Sequence, residues 1–255
     1  MKILLGGALG RMGQEVTAAA AEAQVEIVCG VDVAYTGQPS DYPIVTAFDQ
    51  ATQKADVLID FSRPSALPEL LQLVRKEKMP AVLCTTGYNE AELQMIEEAS
   101  REIPVFRSAN MSLGVNVLRH LVQEAARALG EDFDVEIIER HHSKKVDAPS
   151  GTALMIADAI NTEANGKYEY VYDRTQVRQK RGAQELGISS IRGGGIVGEH
   201  DVLFCGPDEV VTLSHSAGSR GVFADGAVQA ALYIAALAPG YYTMTDLLRG
   251  KLICE

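Results

Sequence analysis

The sequence predicts an α/β protein in which a parallel β-sheet is followed by a separate α+β part. Up to about residue 110, short apolar runs alternate with helix-like stretches, and after about residue 130 strand-like runs follow one another with few helices. Alternation of buried-looking strands with helices is typical of βαβ units, and a succession of strands is typical of an α+β domain. We therefore expect two domains.

In the first part, five apolar runs have the length and composition of buried strands. They are Ile3–Leu5, Glu26–Val31, Val57–Phe61, Ala81–Cys84 and Pro104–Phe106. Between the runs, apolar residues recur with the helical period, which predicts amphipathic helices. One predicted helical face carries Met12, Val16, Ala19, Ala20 and Ala23, and another carries Leu67, Leu70, Leu71 and Val74.

In the second part, an amphipathic helix is predicted over residues 115–129, and Ser150 opens another that buries Ala153, Ile156, Ala157 and Ile160. The predicted strands are Phe133–Ile138, Tyr168–Tyr172, Leu186–Ile191, Val202–Cys205 and Val210–Ser214. The apolar segment Ala227–Ala238 is predicted to be a C-terminal helix that returns to the first domain. The expected limits are residues 1–111 with 219–255 for the first domain, and 112–218 for the second.

Composition and charge narrow the class of partner. The 255 residues are 47% hydrophobic and 22% charged, as in ordinary globular proteins, and carry a formal net charge of −11. Nucleic acid and anionic membranes are poor partners for such a chain. A phosphate or carboxylate ligand must therefore be bound locally, by backbone N–H groups or a few placed cations.

Cysteine usage and the N-terminus predict a cytoplasmic location. Cys29, Cys84, Cys205 and Cys254 lie far apart, which fits reduced thiols better than disulfides or a zinc site. The apolar run at Met1 is too short for a signal peptide, and no segment has the length and hydropathy of a transmembrane helix.

A glycine-rich turn follows the first predicted strand. The sequence from Gly6 to Gly13 leads from a strand into a helix, which is the context of a dinucleotide fingerprint. Gly10 would let the backbone approach a pyrophosphate, Gly13 would let helix and strand pack closely, and the helix N-terminus would attract phosphates. The glycine spacing departs from the usual pattern, so a simple tight turn is the alternative.

Asp32 ends the second predicted strand, where an acid would accept hydrogen bonds from the ribose of the adenosine. An ordinary turn aspartate is the alternative. Between Asp32 and Lys54 the sequence has no lysine or arginine, so a 2′-phosphate would meet a nearby carboxylate and no cation that is local in the sequence. This pattern favours NADH over NADPH.

Three further loops follow predicted strands and should lie at the same edge of the sheet. They are Asp60–Pro64, Cys84–Gly87 and Ser108–Ser112. Their small and polar residues suit contacts with nicotinamide and ribose, although turn chemistry alone also explains such compositions.

The loop that follows Ile138 concentrates groups that exchange protons or bind anions. His141 and His142 are adjacent, Lys144 and Lys145 follow, and Ser150 is a good N-cap for a helix beginning at Gly151 and Thr152. This combination suggests a small anionic substrate that receives a proton while a nicotinamide reduces it. A metal site and a solvated polar loop are the alternatives; adjacent histidines diverge, and His120, His200 and His215 are isolated in the sequence.

The segment Glu136–Ala153, which contains this loop, resembles the signature of the 4-hydroxy-tetrahydrodipicolinate reductase family, which acts in the diaminopimelate route to lysine. Other motifs of that family are resembled in the right order across essentially the whole chain. They are Gly7–Gly13, Asp60–Pro64, Thr85–Gly87, Asn110–Asn116, Gly198–His200 and Phe223–Val228.

The resemblance implies a Rossmann cofactor domain, a substrate domain with a mixed sheet, and a homotetramer. It implies that a nicotinamide passes hydride to C4 of a cyclic imine, with His141 as general acid/base and Lys145 as proton donor. It implies that His142, Lys145, Gly151 and Thr152 hold the carboxylates of a small dicarboxylate substrate. The implied cofactor residues are Gly7, Ala8, Leu9, Gly10, Arg11, Met12, Asp32, Cys84, Thr85, Thr86, Ser108, Ala109, Asn110 and Met111.

Two departures from the family pattern bear on the cofactor. Cys84 stands where the family more often has glycine, and Val33 stands where some members have arginine, which puts NADPH use in question. Two other functions stay open from the sequence. The chain could reduce another carbonyl compound of amino-acid metabolism, or it could bind nicotinamide nucleotides as a sensor without catalysis.

Overall fold

The computed structural model describes residues 1–175 and 178–252, and Cys254 lies outside them. The chain forms two compact units. The first consists of Met1–Leu113 and Arg220–Glu255, and the second of Gly114–Ser219. Within the described residues, no helix combines the length and the apolar character that a membrane crossing requires.

The strands, in chain order, are β1 (Lys2–Gly6), β2 (Glu26–Val31), β3 (Ile44–Val45), β4 (Val57–Asp60), β5 (Ala81–Leu83), β6 (Pro104–Arg107), β7 (Asp134–His141), β8 (Glu169–Val171), β9 (Glu185–Arg192), β10 (Gly198–Cys205), β11 (Val210–Ala217) and β12 (Gly240–Tyr242). The α-helices are α1 (Arg11–Glu22), α2 (Leu67–Lys76), α3 (Glu90–Ser100), α4 (Leu113–Leu129), α5 (Gly151–Glu163), α6 (Gly221–Ile234) and α7 (Met244–Leu252).

The first unit is a doubly wound parallel sheet with the strand order β12-β6-β5-β4-β1-β2-β3. Helices cover both faces of this sheet, so its strands are buried on both sides. The core on one face includes α1 and α6, and the core on the other includes α2 and α3. The chain reverses direction of winding at β1, and in such sheets ligands bind beyond the carboxyl ends of the strands at that point.

The second unit is a mixed sheet with the order β11-β10-β7-β9-β8. Strand β10 runs antiparallel to both of its neighbours, whereas β7, β9 and β8 are parallel to one another. Its core is formed by apolar residues of the sheet together with α4 and α5. The expected mixed sheet is therefore confirmed.

The predicted elements are present, with differences at their ends. The C-terminal helix belongs to the first unit, as expected, but it spans Gly221–Ile234 rather than Ala227–Ala238. Ala23, placed on a buried helical face by its spacing, is exposed because α1 ends at Glu22. Strand β10 begins four residues before the predicted Val202. At Ala23 and after Ile234 the apolar spacing continues past the end of the helix, and β10 begins with Gly198 and the polar residues Glu199, His200 and Asp201.

Candidate active site

The glycine turn of the first unit brings the start of α1 close to the end of β1. Gly7 has a φ of 75°, in the region that favours glycine. A side chain on Gly13 would overlap the carbonyl oxygens of Gly7 and Ala8, so the absence of one permits the close approach of α1 to the turn. Gly10 precedes α1 without any side-chain hydrogen bond, which leaves the positive end of the helix, at Arg11 and Met12, open to an anion.

Asp32 fastens this turn to the end of β2. Its Oδ2 accepts a hydrogen bond of 2.9 Å from the N–H of Leu9, and its Oδ1 accepts one of 2.9 Å from the N–H of Ala34. The carboxylate that was expected to meet a ribose thus also orders the backbone of the turn. Sequence spacing alone gave no sign of this second contact.

A cavity of about 240 Å³ lies beside Asp32. Of the predicted cofactor residues, Gly7, Gly10 and Asp32 line it, together with Val33. Arg63, which follows β4, lines it as well. The local sequence has no cation near Asp32, as stated above, but the fold brings Arg63 to the same cavity.

The loop after β5 is tied to β4 by a buried carboxylate. Asp60 is 1% exposed, and its Oδ2 accepts a hydrogen bond of 2.7 Å from the hydroxyl of Thr85. Burial raises the pKa of Asp60, opposed by hydrogen bonds from Ser62 and Thr85. Cys84 is buried beside them, and burial together with the charge of Asp60 raises the pKa of its thiol well above the usual value. Asp60 thus fixes the position of two predicted cofactor residues.

The remaining predicted cofactor residues also lie in the first unit. In the loop after β6, the hydroxyl of Ser108 donates a hydrogen bond of 2.8 Å to the carbonyl of Asn110. Met111 is buried in the core next to α6. The other predicted members of this set in the same unit are Ala8, Leu9, Thr86 and Ala109.

In the second unit, His141 is the last residue of β7 and is 8% exposed. Its Nδ1 lies 2.6 Å from Oε2 of Glu139, a carboxylate that is fully buried. Burial lowers the pKa of His141, and the hydrogen bond and charge of Glu139 oppose that effect. A neutral imidazole that one carboxylate holds in place suits a group that gains and loses a proton.

His200, which is isolated in the sequence, contacts His141 in the fold. The two rings meet edge to face with centroids 5.3 Å apart, because β10 pairs with β7 and places them on neighbouring strands. Burial lowers the pKa of His200 to about 4, and the nearby charge of His141 adds to this. The cross-strand partner of His200 on β11 is His215, which is also isolated in the sequence.

The two lysines of the loop differ in environment. Lys145 is partly buried and its Nζ lies 2.9 Å from Oδ1 of Asp147, whereas Lys144 is exposed. The N–H of Lys145 donates to the carbonyl of His142, which closes a turn. Nδ1 of His142 is buried, and none of the described residues accepts from it or donates to it.

Helix α5 begins as predicted, with Ser150 as its N-cap. The Ser150 hydroxyl accepts a hydrogen bond of 3.1 Å from the N–H of Ala153 and lies 3.2 Å from Nε2 of His200. Gly151 and Thr152 form the first turn, whose N–H groups and dipole favour a carboxylate. The fold thus gathers the five predicted catalytic and substrate-binding residues into one loop and one helix start.

The sequence interpretation missed two residues of this loop's surroundings. Glu139 bonds His141, and Arg192, at the end of β9, bonds Glu139 through both guanidinium NH groups at 2.7 Å each. Glu139 could have been noticed, because it falls in the buried register of a strand otherwise lined by Val135 and Ile137. Arg192 is 53 residues away in the chain, and only the sheet register brings it to Glu139.

A dinucleotide-type glycine turn in one unit and a loop of proton donors and anion-binding groups in the other place the chain in the class of pyridine-nucleotide-dependent oxidoreductases. Two family models match it. "Dihydrodipicolinate reductase, N-terminus" matches residues 1–111, and "Dihydrodipicolinate reductase, C-terminus" matches residues 114–248. The chain belongs to the dihydrodipicolinate reductase family.

Relatives agree with this assignment along the whole chain. The 4-hydroxy-tetrahydrodipicolinate reductase of Caldanaerobacter subterraneus subsp. tengcongensis is 52% identical over 250 residues, which cover 98% of each protein. The one from Clostridium tetani is 45% identical over 249 residues, which cover 97% of each protein.

Two solved structures show the likeness of the fold. A dipicolinate-bound dihydrodipicolinate reductase from Paenisporosarcina sp. TG-14 has a TM-score of 0.76 at 24% identity, with 95% of this chain and 97% of that chain covered. A probable dehydrogenase from Thermotoga maritima has a TM-score of 0.63 at 12% identity, with 99% and 94% covered. At these identities the comparison establishes the architecture, and the family assignment rests on the sequence matches.

Proposed function

We propose that the chain reduces 4-hydroxy-tetrahydrodipicolinate to tetrahydrodipicolinate with a nicotinamide nucleotide, as part of the diaminopimelate route to lysine. The observation that carries the proposal is the 52% identity to a reductase of that name over 98% of both proteins. The histidine loop supports it, because a small dicarboxylate needs cationic groups and N–H donors, and the reduction needs a proton.

The first unit, residues 1–111 with 219–255 in this proposal, would hold the cofactor. The nicotinamide supplies hydride to C4 of the substrate when it is bound. The turn from Gly7 to Met12 would bind the pyrophosphate, since glycine backbone and an uncapped helix start suit it. Asp32 would accept from the ribose and favour NADH over NADPH. The residues proposed to line the nicotinamide side are Cys84, Thr85, Thr86, Ser108, Ala109, Asn110 and Met111.

Within the second unit, residues 112–218 in this proposal, His141 would serve as general acid/base and Lys145 as proton donor. The net reaction takes up one hydride and one proton and releases one water. The hydroxyl group leaves with a proton from the adjacent carbon as water, and the hydride and one proton then saturate the double bond that this elimination leaves. His141 suits proton exchange because an imidazole gains and loses protons readily, and its burial lowers the pKa, which favours the neutral ring. Lys145 forms an ion pair with Asp147, and a substrate carboxylate could take the place of the Asp147 carboxylate.

The carboxylates of the substrate would be held by His142, Lys145, Gly151 and Thr152. The buried Nδ1 of His142 is available as a donor or acceptor among the described residues. The first turn of α5 offers N–H groups next to Ser150, whose own hydroxyl is occupied by the N–H of Ala153. Carboxylates are stabilised at such helix starts.

Assembly as a homotetramer through the second unit is also proposed. Helices α4 and α5 cover one face of its sheet, while the residues of β11 that alternate with the partly buried ones are exposed. Light scattering coupled to size-exclusion chromatography measures the mass directly, and a monomer of 27.4 kDa would refute the tetramer. A cytoplasmic location is proposed on the three described cysteines, Cys29, Cys84 and Cys205, which are free thiols.

A coupled assay tests the proposed reaction. The purified chain should oxidise NADH only when a synthase supplies 4-hydroxy-tetrahydrodipicolinate, and the loss of nicotinamide absorbance measures the rate. His141→Gln should lower kcat about 100-fold or more, with little change in the dissociation constant of NADH. Turnover with other carbonyl compounds but not this substrate would assign a different reductase, and nucleotide binding without turnover would identify a sensor.

A further inference from the structure

We propose that Glu139, charged and held by Arg192, is a positioning residue that sets the tautomer of His141 and joins it to the start of α5. The inference rests on the proposed function only in that turnover is one of its readouts. It concerns residues of the second unit alone, and it adds two residues to those that the family resemblance implies.

Glu139 makes an unusually complete set of contacts for a carboxylate. It is 0% exposed, which without compensation would be costly for a charge. Oε1 accepts from Arg192 at 2.7 Å and from the N–H of Ser150 at 3.1 Å. Oε2 accepts from Arg192 at 2.7 Å and lies 2.6 Å from Nδ1 of His141. Each of the two oxygens therefore has two partners on different elements.

These contacts determine which nitrogen of His141 carries the proton. Burial favours the neutral form of Glu139. Hydrogen bonds from Arg192, Ser190 and His141 outweigh the effect of burial and lower the pKa of Glu139 to about 2. An ionised carboxylate only accepts, so Nδ1 of neutral His141 must be the protonated nitrogen. Nε2 of His141 is then the atom that exchanges a proton. It lies next to Gly198, because a Cβ added to Gly198 would be 3.1 Å from this nitrogen.

Arg192 extends the same arrangement to the loop. Besides its two bonds to Glu139, it donates a hydrogen bond of 2.6 Å to the carbonyl of Asp147. The N–H of Ser150, the N-cap of α5, donates to Glu139. One buried ion pair thus holds the general acid/base, the segment between Lys145 and Ser150, and the helix start that would bind a carboxylate.

The charged and titratable groups around His141 fix the sign of the pH effect. Glu139 raises the pKa of His141, whereas burial and the charges of Lys145 and Arg192 lower it. The neutral ring of His200 packs against it from β10. Removing the charge of Glu139 leaves only the lowering influences, so the pKa of His141 must fall. If protonated His141 is the active form, the alkaline limb of the kcat profile moves to lower pH.

The test is Glu139→Gln, with Glu163→Gln as the matched control. Glu163, the last residue of α5, pairs with Arg127 of α4, and none of its hydrogen bonds or ion pairs within the described residues involves the loop of His141. For Glu139→Gln we expect kcat to fall on the order of 10–100-fold, with the KM for NADH changed less than about twofold. The alkaline limb of kcat should move down by about one pH unit. Glu163→Gln should keep the wild-type kcat and profile.

A spectroscopic readout separates positioning from a merely structural role. In the wild type, 15N chemical shifts of His141 should report a proton on Nδ1, and in Glu139→Gln they should report a mixture of tautomers. An unchanged tautomer, or an unchanged kcat and pH profile in a folded variant, would overturn the inference. If the wild-type protein shows no turnover, the proposed function is refuted, and the tautomer measurement alone then decides the inference about Glu139.

Arg192→Lys provides a second variant if Glu139→Gln does not fold, as judged by circular dichroism. Lysine keeps the charge but not the two-pronged geometry, so it cannot bond both oxygens and the Asp147 carbonyl together. We expect kcat to fall about tenfold, with proton occupancy still on Nδ1 because Glu139 stays charged. A wild-type kcat in this variant would contradict the role assigned to Arg192.

Discussion

At the scale of single residues, Asp32 has a contact that complicates its proposed role. Both oxygens already accept from backbone N–H groups, of Leu9 and Ala34. A carboxylate can accept about four hydrogen bonds, so capacity for a ribose hydroxyl is left. The proposed recognition of ribose and the backbone conformation of the glycine turn therefore both depend on the side chain of Asp32.

We expect Asp32→Asn to raise the KM for NADH by about 10-fold or more, because a charge-assisted hydrogen bond is lost. The KM for NADPH should change less, since the repulsion between the carboxylate and a 2′-phosphate disappears at the same time. The ratio of kcat/KM for the two nucleotides measures the effect. Asp41→Asn, at an exposed position between β2 and β3, is the control, and an equal loss with both nucleotides would show that Asp32 only orders the turn.

At this scale the sequence revealed the chemical groups but not their partners. His141, Lys145 and Ser150 are recognisable because proton donors and an N-cap adjoin one another in the chain. The partners Glu139 and Arg192 are separated by 53 residues and meet through the pairing of β7 with β9. Likewise Arg63 reaches the cavity of Asp32 from another loop. Contacts made by sheet register cannot be inferred from local composition.

At the scale of elements, the start of α1 depends on the absence of a side chain. In an exposed helix, glycine to alanine usually stabilises by up to about 1 kcal/mol. At Gly13 the added methyl group would overlap the carbonyl oxygens of Gly7 and Ala8, so helix and turn would have to separate. Because Gly13 has no Cβ, α1 can pack closely against the strand and the glycine turn can keep its shape.

Gly13→Ala should therefore destabilise the protein by about 1–3 kcal/mol, the usual cost of overpacking, and raise the dissociation constant of NADH. Urea unfolding and nucleotide titration measure the two effects. Gly250→Ala in α7 is the matched control, because its nearest neighbour outside the helix, in Tyr233, would lie at an ordinary 3.5 Å. A stabilised Gly13→Ala variant would show that the turn adapts without cost.

Elements with a clear apolar period were predictable, whereas the two edge strands of the first unit were not. The face of α2 formed by Leu67, Leu70, Leu71 and Val74 is fully buried, as its spacing predicts. Strands β3 and β12, of two and three residues, lie at the edges of the sheet and have too few residues to show a period. Helix α6 begins at Gly221, six residues before the predicted Ala227.

At the scale of the whole molecule, buried histidine makes stability depend on pH. Burial lowers the pKa of His200 to about 4, below its ordinary value of 6.5. The unfolded chain therefore binds a proton at a higher pH than the folded chain does, and stability is lost as the pH falls from about 6.5 to about 4. His141, whose pKa is also lowered, contributes in the same direction.

We expect the free energy of unfolding to fall by about 2 kcal/mol between pH 7 and pH 5 on account of His200, as measured by urea unfolding at both values. His200→Gln should reduce this difference, whatever its effect on stability at pH 7. His120→Gln, at an exposed site, should leave the difference unchanged. An identical pH dependence in the His200 variant would show that this ring is protonated in the folded protein.

The division of the chain also sets an order of events during synthesis. The first unit is made of Met1–Leu113 and Arg220–Glu255, and α6, which carries the buried residues Ala224, Ala227 and Ile234, comes from the second of these segments. The ribosome completes Gly114–Ser219 before that helix exists. The second unit can thus fold during translation while the first unit still lacks part of its core. Residues 1–113 therefore expose apolar surface, which chaperones can bind, until α6 has been synthesised.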